Sequence, residues 1–474
     1  MYSFLTGRRA RRAVAALAAA SALQGCDSAT DTLLEAIDPD IINPSEARSS
    51  EGAQALYVGA FSRLRAALTG TGDSSGSYLF GGLLADEWST SSTFIQNDEF
   101  DTRSIVNVNT TATNLFRNLN RVRTASNQAI AGLRQFRPTE THRIAEMYLH
   151  RGLAEMQIAQ DFCNGTPISD ASGDEFVYGT PESNAQVFQR AVASFDSALA
   201  LTATPSTNNT PINQATRIAK ARALLGLGTA RAAEAAALVA TPAIPTSFTY
   251  DQTFALTAGT NNIWGQALSA RRFTVSDTLE GNARNLLVRN AIPFFSARDP
   301  RLPVTYTVSA NGRDTTKAQD GFTFSRTTTL YGQLTNVPFV NGLDARLVEA
   351  EARLVANDFA GMTTILNALR AAPPTIGTVT PTAASLPALA VPTTRDAAIN
   401  LYFREKAFWT FSRGQRLGDL RRLVRQYGRT PEQVFPTGTH YRGGQYGTDV
   451  NIPLTTEELT NTNASRSLCT DRRA

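Results

Sequence analysis

What most constrains this chain is a helical apolar period that returns in block after block. Between Thr139 and Phe162 the side chains of Ile144, Met147, Tyr148, Leu149, Leu153, Met156, Ile158 and Phe162 run nearly all round the helix that their spacing predicts. Such a helix has to be sandwiched between others, because no side of it is fit for water. Phe188, Ala191, Val192, Phe195, Ala198 and Leu199 form one stripe of a further helix, read as opening at Thr180-Pro181. Asn43-Pro44 reads as an N-cap and first-turn proline of a helix reaching about Ala67. Helical signals also cover 111–136, an alanine-rich pair over 212–239 broken near Gly226 and Gly228, and then 343–356, 359–371 and 394–426. Helix pairs of about 30–40 residues cannot bury both faces alone and therefore stack. The expected fold is mainly α, a tetratricopeptide-like helical-repeat scaffold, although no strict signature repeats along it.

Two stretches break the rhythm. Residues 70–110 are rich in Gly, Ser, Thr and Asn, with Trp88, Phe94 and Phe100 scattered among them. Residues 241–340 are rich in Pro, Thr, Gly and Asn, with short β-branched runs such as 304–308. The second reads as an irregular, loop-rich subdomain with a few short strands. Residues 372–393 read as a connection, and the tail from 427 as mostly loop. Rigid scaffolds tend to present binding residues on such segments.

The N-terminus is of another kind. Arg8, Arg9, Arg11 and Arg12 precede an apolar run from Ala13 to Leu23, eleven residues long and too short to span a bilayer. The run ends in Leu23-Gln24-Gly25-Cys26, which resembles the lipobox of bacterial lipoproteins, in which the cysteine becomes the lipidated N-terminus. An ordinary secretory leader with a chance cysteine is the competing reading, whereas twin-arginine export lacks the residues that should follow the arginines. The expected organisation is a signal peptide over 1–25, a lipidated tether over 26–42, and an N-terminal helical-repeat part over 43–240 with a ligand-side loop at 70–110. The irregular subdomain over 241–340 and a C-terminal helical part and tail over 341–474 complete it.

Removing the leader changes the charge argument. It holds four arginines and no acid, so 41 basic groups remain against 41 acidic ones. A neutral chain gives no case for nucleic acid. Of the three cysteines, lipidation would take Cys26, leaving Cys163 and Cys469 in a compartment that permits disulfides. They are expected to pair, with two buried free thiols as the alternative.

Four stretches, in order, resemble the SusD/RagB family of outer-membrane lipoproteins: AEMYLHRGLAEMQIAQDFCNGTPIS (145–169), ATRIAKARALLGLG (215–228), ARLVEAEARLVANDFAGMTTILNALR (345–370) and REKAFWTFSRGQRLGDLRRL (404–423). The last carries the family's Gly-x-Arg-x-x-Asp-Leu-x-Arg ending as Gly414, Arg416, Asp419, Leu420 and Arg422. With the lipobox and the closing IPLTTEEL…N (452–461), the resemblance spans nearly the whole mature chain. Trp409, Arg413 and Thr462 depart from the family's usual residues. The resemblance implies a tetratricopeptide-like scaffold that holds an irregular ligand-binding subdomain. It implies a protein lipid-anchored in the outer membrane and surface-exposed, with acyl chains such as palmitate on Cys26. It also implies a partnership with a SusC-like TonB-dependent transporter, and an oligosaccharide or peptide as ligand.

Chemistry-bearing patterns are sparse. Histidine occurs only at 142, 150 and 440, and His142 and His150, two turns apart, lack an acid to complete a metal set. No nucleophile elbow or phosphate-cradling loop is present, so no catalytic residue, metal or cofactor is expected. A glycosidase would need two carboxylates, and Asp86-Glu87 and Asp98-Glu99 are the acids weighed for that role. A glycan site needs aromatic faces with amides and carboxylates. The candidates are Trp88, Phe94, Trp264 and Tyr331, with Asn97, Asp98 and Asn262 as polar partners. Each competes with plain core packing, and Trp409, beside Phe408 and Phe411, reads as core. Glu349, Glu351 and Asp419, with Arg416 and Arg422, read as internal ion pairs. A periplasmic helical scaffold without a small ligand, and a glycosidase, are the competing functions.

Overall fold

The computed structural model describes residues 48–72, 74–173, 175–306 and 316–474. The leader, Cys26, the tether and the expected helix start at Asn43-Pro44 lie outside the described residues.

The scaffold is a ladder of helices: α1 (Ser50–Leu68), α2 (Ser77–Leu84), α3 (Ile95–Asp101), α4 (Thr110–Phe136), α5 (Thr141–Asp161), α6 (Asn184–Leu201), α7 (Asn209–Leu227) and α8 (Ala232–Ala240), then α9 (Gly342–Val355), α10 (Phe359–Ala371), α11 (Arg395–Trp409) and α12 (Arg416–Tyr427). Helix α1 packs on α4, α4 on α5, α5 on α6, α6 on α7, α7 on α8, α8 on α9, and α9 on α10 and α11. Each hairpin covers a face that its neighbour would otherwise expose, which is the tetratricopeptide-like arrangement the periodicity requires. Helix α5 is enclosed as its apolar circumference demands: Ile144, Met147, Leu149, Leu153, Met156 and Ile158 are all buried.

Two glycines set how closely these helices approach. A Cβ on Gly152 of α5 would lie 2.4 Å from the ring of Phe195, and one on Gly226 of α7 would lie 2.4 Å from the ring of Phe188. Helix α6 thus presses one phenylalanine into each neighbour.

Local signals explain several boundaries that differ from the expected ones. Helix α6 starts at Asn184 rather than at Thr180-Pro181, because Ser183 and Gln186 form a capping box and Pro181–Glu182 pairs as a short strand with Thr166–Pro167. Helix α9 is capped in the same way by Asn341 and Asp344. The expected helix over 394–426 is two helices. Ser412 and Gly414 adopt positive φ between them (58° and 64°), and a Cβ on Gly414 would meet the Tyr78 ring.

The irregular segments are more ordered than their composition predicts. Residues 70–110 contain α2, α3 and the strand Trp88–Thr90, so the expected loop is corrected to a folded insert. Its strand pairs antiparallel with Phe273–Val275 of the second irregular region, in the register Trp88↔Val275, Ser89↔Thr274 and Thr90↔Phe273. Composition cannot show this pairing, because each strand is only three residues long. Elsewhere the second region holds short strand pairs, among them Thr249–Gln252 with Val337–Asn341.

The interior is crossed by paired charges. Glu351 accepts from Arg422 and Tyr427, Asp344 pairs with Arg413 at 2.6 Å, Lys406 with Asp419 at 2.6 Å, and Glu405 receives both Arg301 and Arg370. Arg416 pairs with Asp86 rather than with Asp419. Glu349 pairs with Arg346 one turn away. Cys163, just past α5, is bonded to Cys469 in the tail across 306 residues.

Candidate functional site

The strand pairing between the two inserts places Phe94 of the first beside Arg272 of the second. Phe94 is the N-cap of α3, with its backbone N–H donating to Ser92 Oγ at 3.1 Å, and the residue is 42% exposed. The Arg272 guanidinium lies 4.9 Å from the centroid of that ring, within cation–π range. Arg272 is steadied by Gln266, which accepts from its Nη1 at 2.9 Å, and Gln266 Nε2 donates to the Gly72 carbonyl at 2.7 Å.

These groups open into a cleft of about 470 Å³. Its apolar surfaces are Phe94 and the buried Phe80, which is edge-on to Phe100 and Phe273. Asn97, Gln96 and Gln266 bring amides, and Thr110, Thr111 and Asn114 come from the first turns of α4. Among the described residues no carboxylate lines it. The chemistry on offer is one open aromatic face with neutral donors and acceptors and a single cation, which suits a hydroxyl-rich ligand with an apolar side.

The expected site residues divide. Phe94 and Asn97 line this cleft. Asp98 sits behind it, accepting from Thr90 Oγ1 at 3.0 Å and from Arg442 Nη1 at 2.9 Å; burial pushes its carboxyl up and Arg442 draws it back. Asn262 is buried and donates to the Ser74 carbonyl at 3.0 Å, so it fixes the cleft's rim rather than facing it. Trp264 is half-buried, opens a short π-helical turn over Trp264–Ser269 and is not part of the lining.

Trp88 and Tyr331 are corrections. Trp88 is 1% exposed, packs 4.9 Å from Phe411 and donates from Nε1 to Ser412 Oγ at 3.2 Å, so neither ring face is open. Tyr331 is 3% exposed and packs under Gly377. Both aromatics went to the core because the two inserts fold against the scaffold. Gln96, Thr110, Thr111, Asn114, Gln266 and Arg272 were not singled out in the sequence, since no local pattern marks them.

The acids weighed for catalysis are used structurally. Asp86 is held by Arg416, and Glu99 accepts from Asn109 Nδ2 at 2.6 Å. Glu87 is fully buried, with Oε1 accepting the Ser412 N–H at 2.9 Å, and burial pushes it up to about 8. His150 is buried against Tyr250, with Nε2 2.7 Å from its hydroxyl. Among the described residues no group of three His, Cys, Asp or Glu could hold a metal ion, and no helix is long and apolar enough to cross a membrane.

No family model matches the sequence, and no curated protein matches it. Solved structures do. A SusD superfamily protein from Parabacteroides distasonis superposes with a TM-score of 0.62 at 14% identity, covering 88% of this chain and 98% of that one. NanU of B. fragilis gives 0.58 at 12% identity, covering 90% and 99%. Surface glycan-binding protein A from Bacteroides uniformis gives 0.60 at 16% identity, covering 86% and 97%. Helical ladder, folded inserts and C-terminal helices together give this chain the fold of the SusD superfamily.

Proposed function

We propose that the chain is a nutrient-binding lipoprotein of the cell surface that captures an oligosaccharide and passes it to a SusC-like TonB-dependent transporter of the outer membrane. Lipid on Cys26 would hold it there. The observation that carries this reading is the Phe94 cleft, which combines an open ring, amides and hydroxyls with no carboxylate pair among its described lining residues. A two-carboxylate hydrolase would need acids about 5–10 Å apart facing the substrate; the described residues of this lining supply none, which favours binding without turnover. A peptide is the second ligand class, and the lining of amides and hydroxyls around one open ring favours sugar. Residues 43–240 and 341–474 act as the frame, and 241–340 with the 70–110 insert forms the ligand side.

Two measurements test this. A glycan and peptide array probed with residues 27–474 should score glycans, and none of the bound glycans should release reducing ends on incubation. Capture from detergent-solubilised outer membrane should bring down a barrel of the SusC type. Array hits confined to peptides, or a lipoprotein captured alone and spared by surface proteolysis of intact cells, would favour a different ligand or a periplasmic scaffold.

A further inference from the structure

The exposed residues in the first half of α4 include Thr110, Asn114, Arg117 and Arg121. Their spacing of four, three and four places them in one stripe along the solvent face. Thr110 and Asn114 line the Phe94 cleft, while Arg117 and Arg121 line a second cleft of about 240 Å³. Helix α4 therefore contributes to both clefts. Arg117 Nη1 donates to Asn114 Oδ1 at 3.3 Å, linking the two halves of the stripe. From Thr110 to Arg121 the helix advances about 16 Å, the length of several linked sugar rings.

The second cleft carries an aromatic pair. Phe176 and Tyr178 meet edge to face at 4.6 Å and remain 54% and 44% exposed. They stand two residues apart on extended chain, so both rings project from the same side. The segment that bears them is pinned. Val177 and Asp170 exchange two backbone hydrogen bonds of 2.8 and 2.9 Å. Asn461 and Asn463 donate their side-chain amides to the carbonyls of Gly179 and Tyr178, each at 3.0 Å. Rings held out in water beside residues tied in this way do not serve the core. They offer apolar faces already in position, which lowers the ordering cost of binding. In the same cleft, the exposed Arg117–Glu457 pair presents a cation and a carboxylate to hydroxyls.

We infer that the α4 stripe is the floor of one continuous track, and that the ligand is a linear oligosaccharide long enough to touch Phe94 at one end and the Phe176–Tyr178 pair at the other. This inference rests on the glycan-binding reading of the Phe94 cleft. It adds that chain length is a specificity determinant, because short saccharides fill the first cleft only.

The test is titration calorimetry of the mature protein with malto-, xylo- and mannan-derived ladders from disaccharide to octasaccharide, repeated with a Phe176→Ala/Tyr178→Ala double variant. Wild type should bind one ladder with affinity that rises with length and then levels off. The double variant should bind its short members unchanged, which also shows that it is folded, and lose on the order of tenfold on the long ones. Length-independent binding by wild type, or a variant that matches wild type on the octasaccharide, would overturn the track alone. No binding of any ladder by wild type would remove the glycan reading beneath it. A variant that keeps all glycan affinity but no longer captures the transporter would overturn the track and make this face a protein contact.

Discussion

Asp86 and Arg416, 330 residues apart, meet as a two-point ion pair, Nε to Oδ1 at 2.6 Å and Nη2 to Oδ2 at 2.8 Å. Both side chains are buried, and Asp86 Oδ2 also accepts the Ile292 N–H at 2.9 Å. One carboxylate therefore joins the first insert, the second irregular region and the start of α12. Removing one partner of such a pair leaves a buried charge unanswered, which costs about 3–5 kcal/mol. Arg416→Ala and Asp86→Ala should each lower stability to urea by that much, and the double variant should lose less than the sum of the two. A loss within about 0.5 kcal/mol, the range of an ordinary surface change, would show that the pair does not organise the inserts.

Glu87, next to it, gives a pH prediction. Burial raises its folded-state pKa to about 8, while in the unfolded chain it ionises near the ordinary glutamate value of 4.5. Between those values the folded state holds a proton that the unfolded state has released, so stability falls as pH rises, by up to about 1.4 kcal/mol per pH unit. Glu87→Gln removes this term. Melting curves of the two proteins should nearly coincide near pH 4 and separate progressively toward pH 8, with the glutamine variant the more stable. Curves that stay parallel across that range would contradict the assignment.

The bond between Cys163 and Cys469 closes a loop of 306 residues. The chain-entropy model credits such a loop with roughly 5–6 kcal/mol, an upper figure because engineered cases commonly deliver less. Cys469→Ser should lower the melting temperature by several degrees and leave one alkylatable thiol at Cys163 once the protein is denatured. Two alkylatable thiols in unreduced wild type would show that the bond is absent.

What the sequence made legible was what repeats. The all-round apolar helix at α5, the Phe188–Phe195 stripe of α6 and the alanine-rich α7–α8 pair each carry their partners in their periodicity, and the ladder follows from stacking them. The inserts were harder to read. The three-residue strands that join Trp88 to Val275 are too short to show a period, and the break at Ser412–Gly414 is packed against Tyr78, over 330 residues away. The candidate site was legible only in part, for a related reason. Trp88 and Tyr331 are aromatic, but tertiary packing decides which rings face water, and here it chose Phe94. Arg272 became part of the site only through the pairing of the two inserts, which no local motif announces.

If the Phe94–Arg272 cleft holds the ligand, calorimetry of Phe94→Ala and Arg272→Ala on the best glycan from the array will show it. Loss of an aromatic platform is worth about 1–2 kcal/mol, so Phe94→Ala should weaken binding by roughly tenfold or more, and Arg272→Ala by a smaller factor, with melting temperatures unchanged. Glycan affinity that survives both substitutions intact would place the ligand elsewhere and contradict the account.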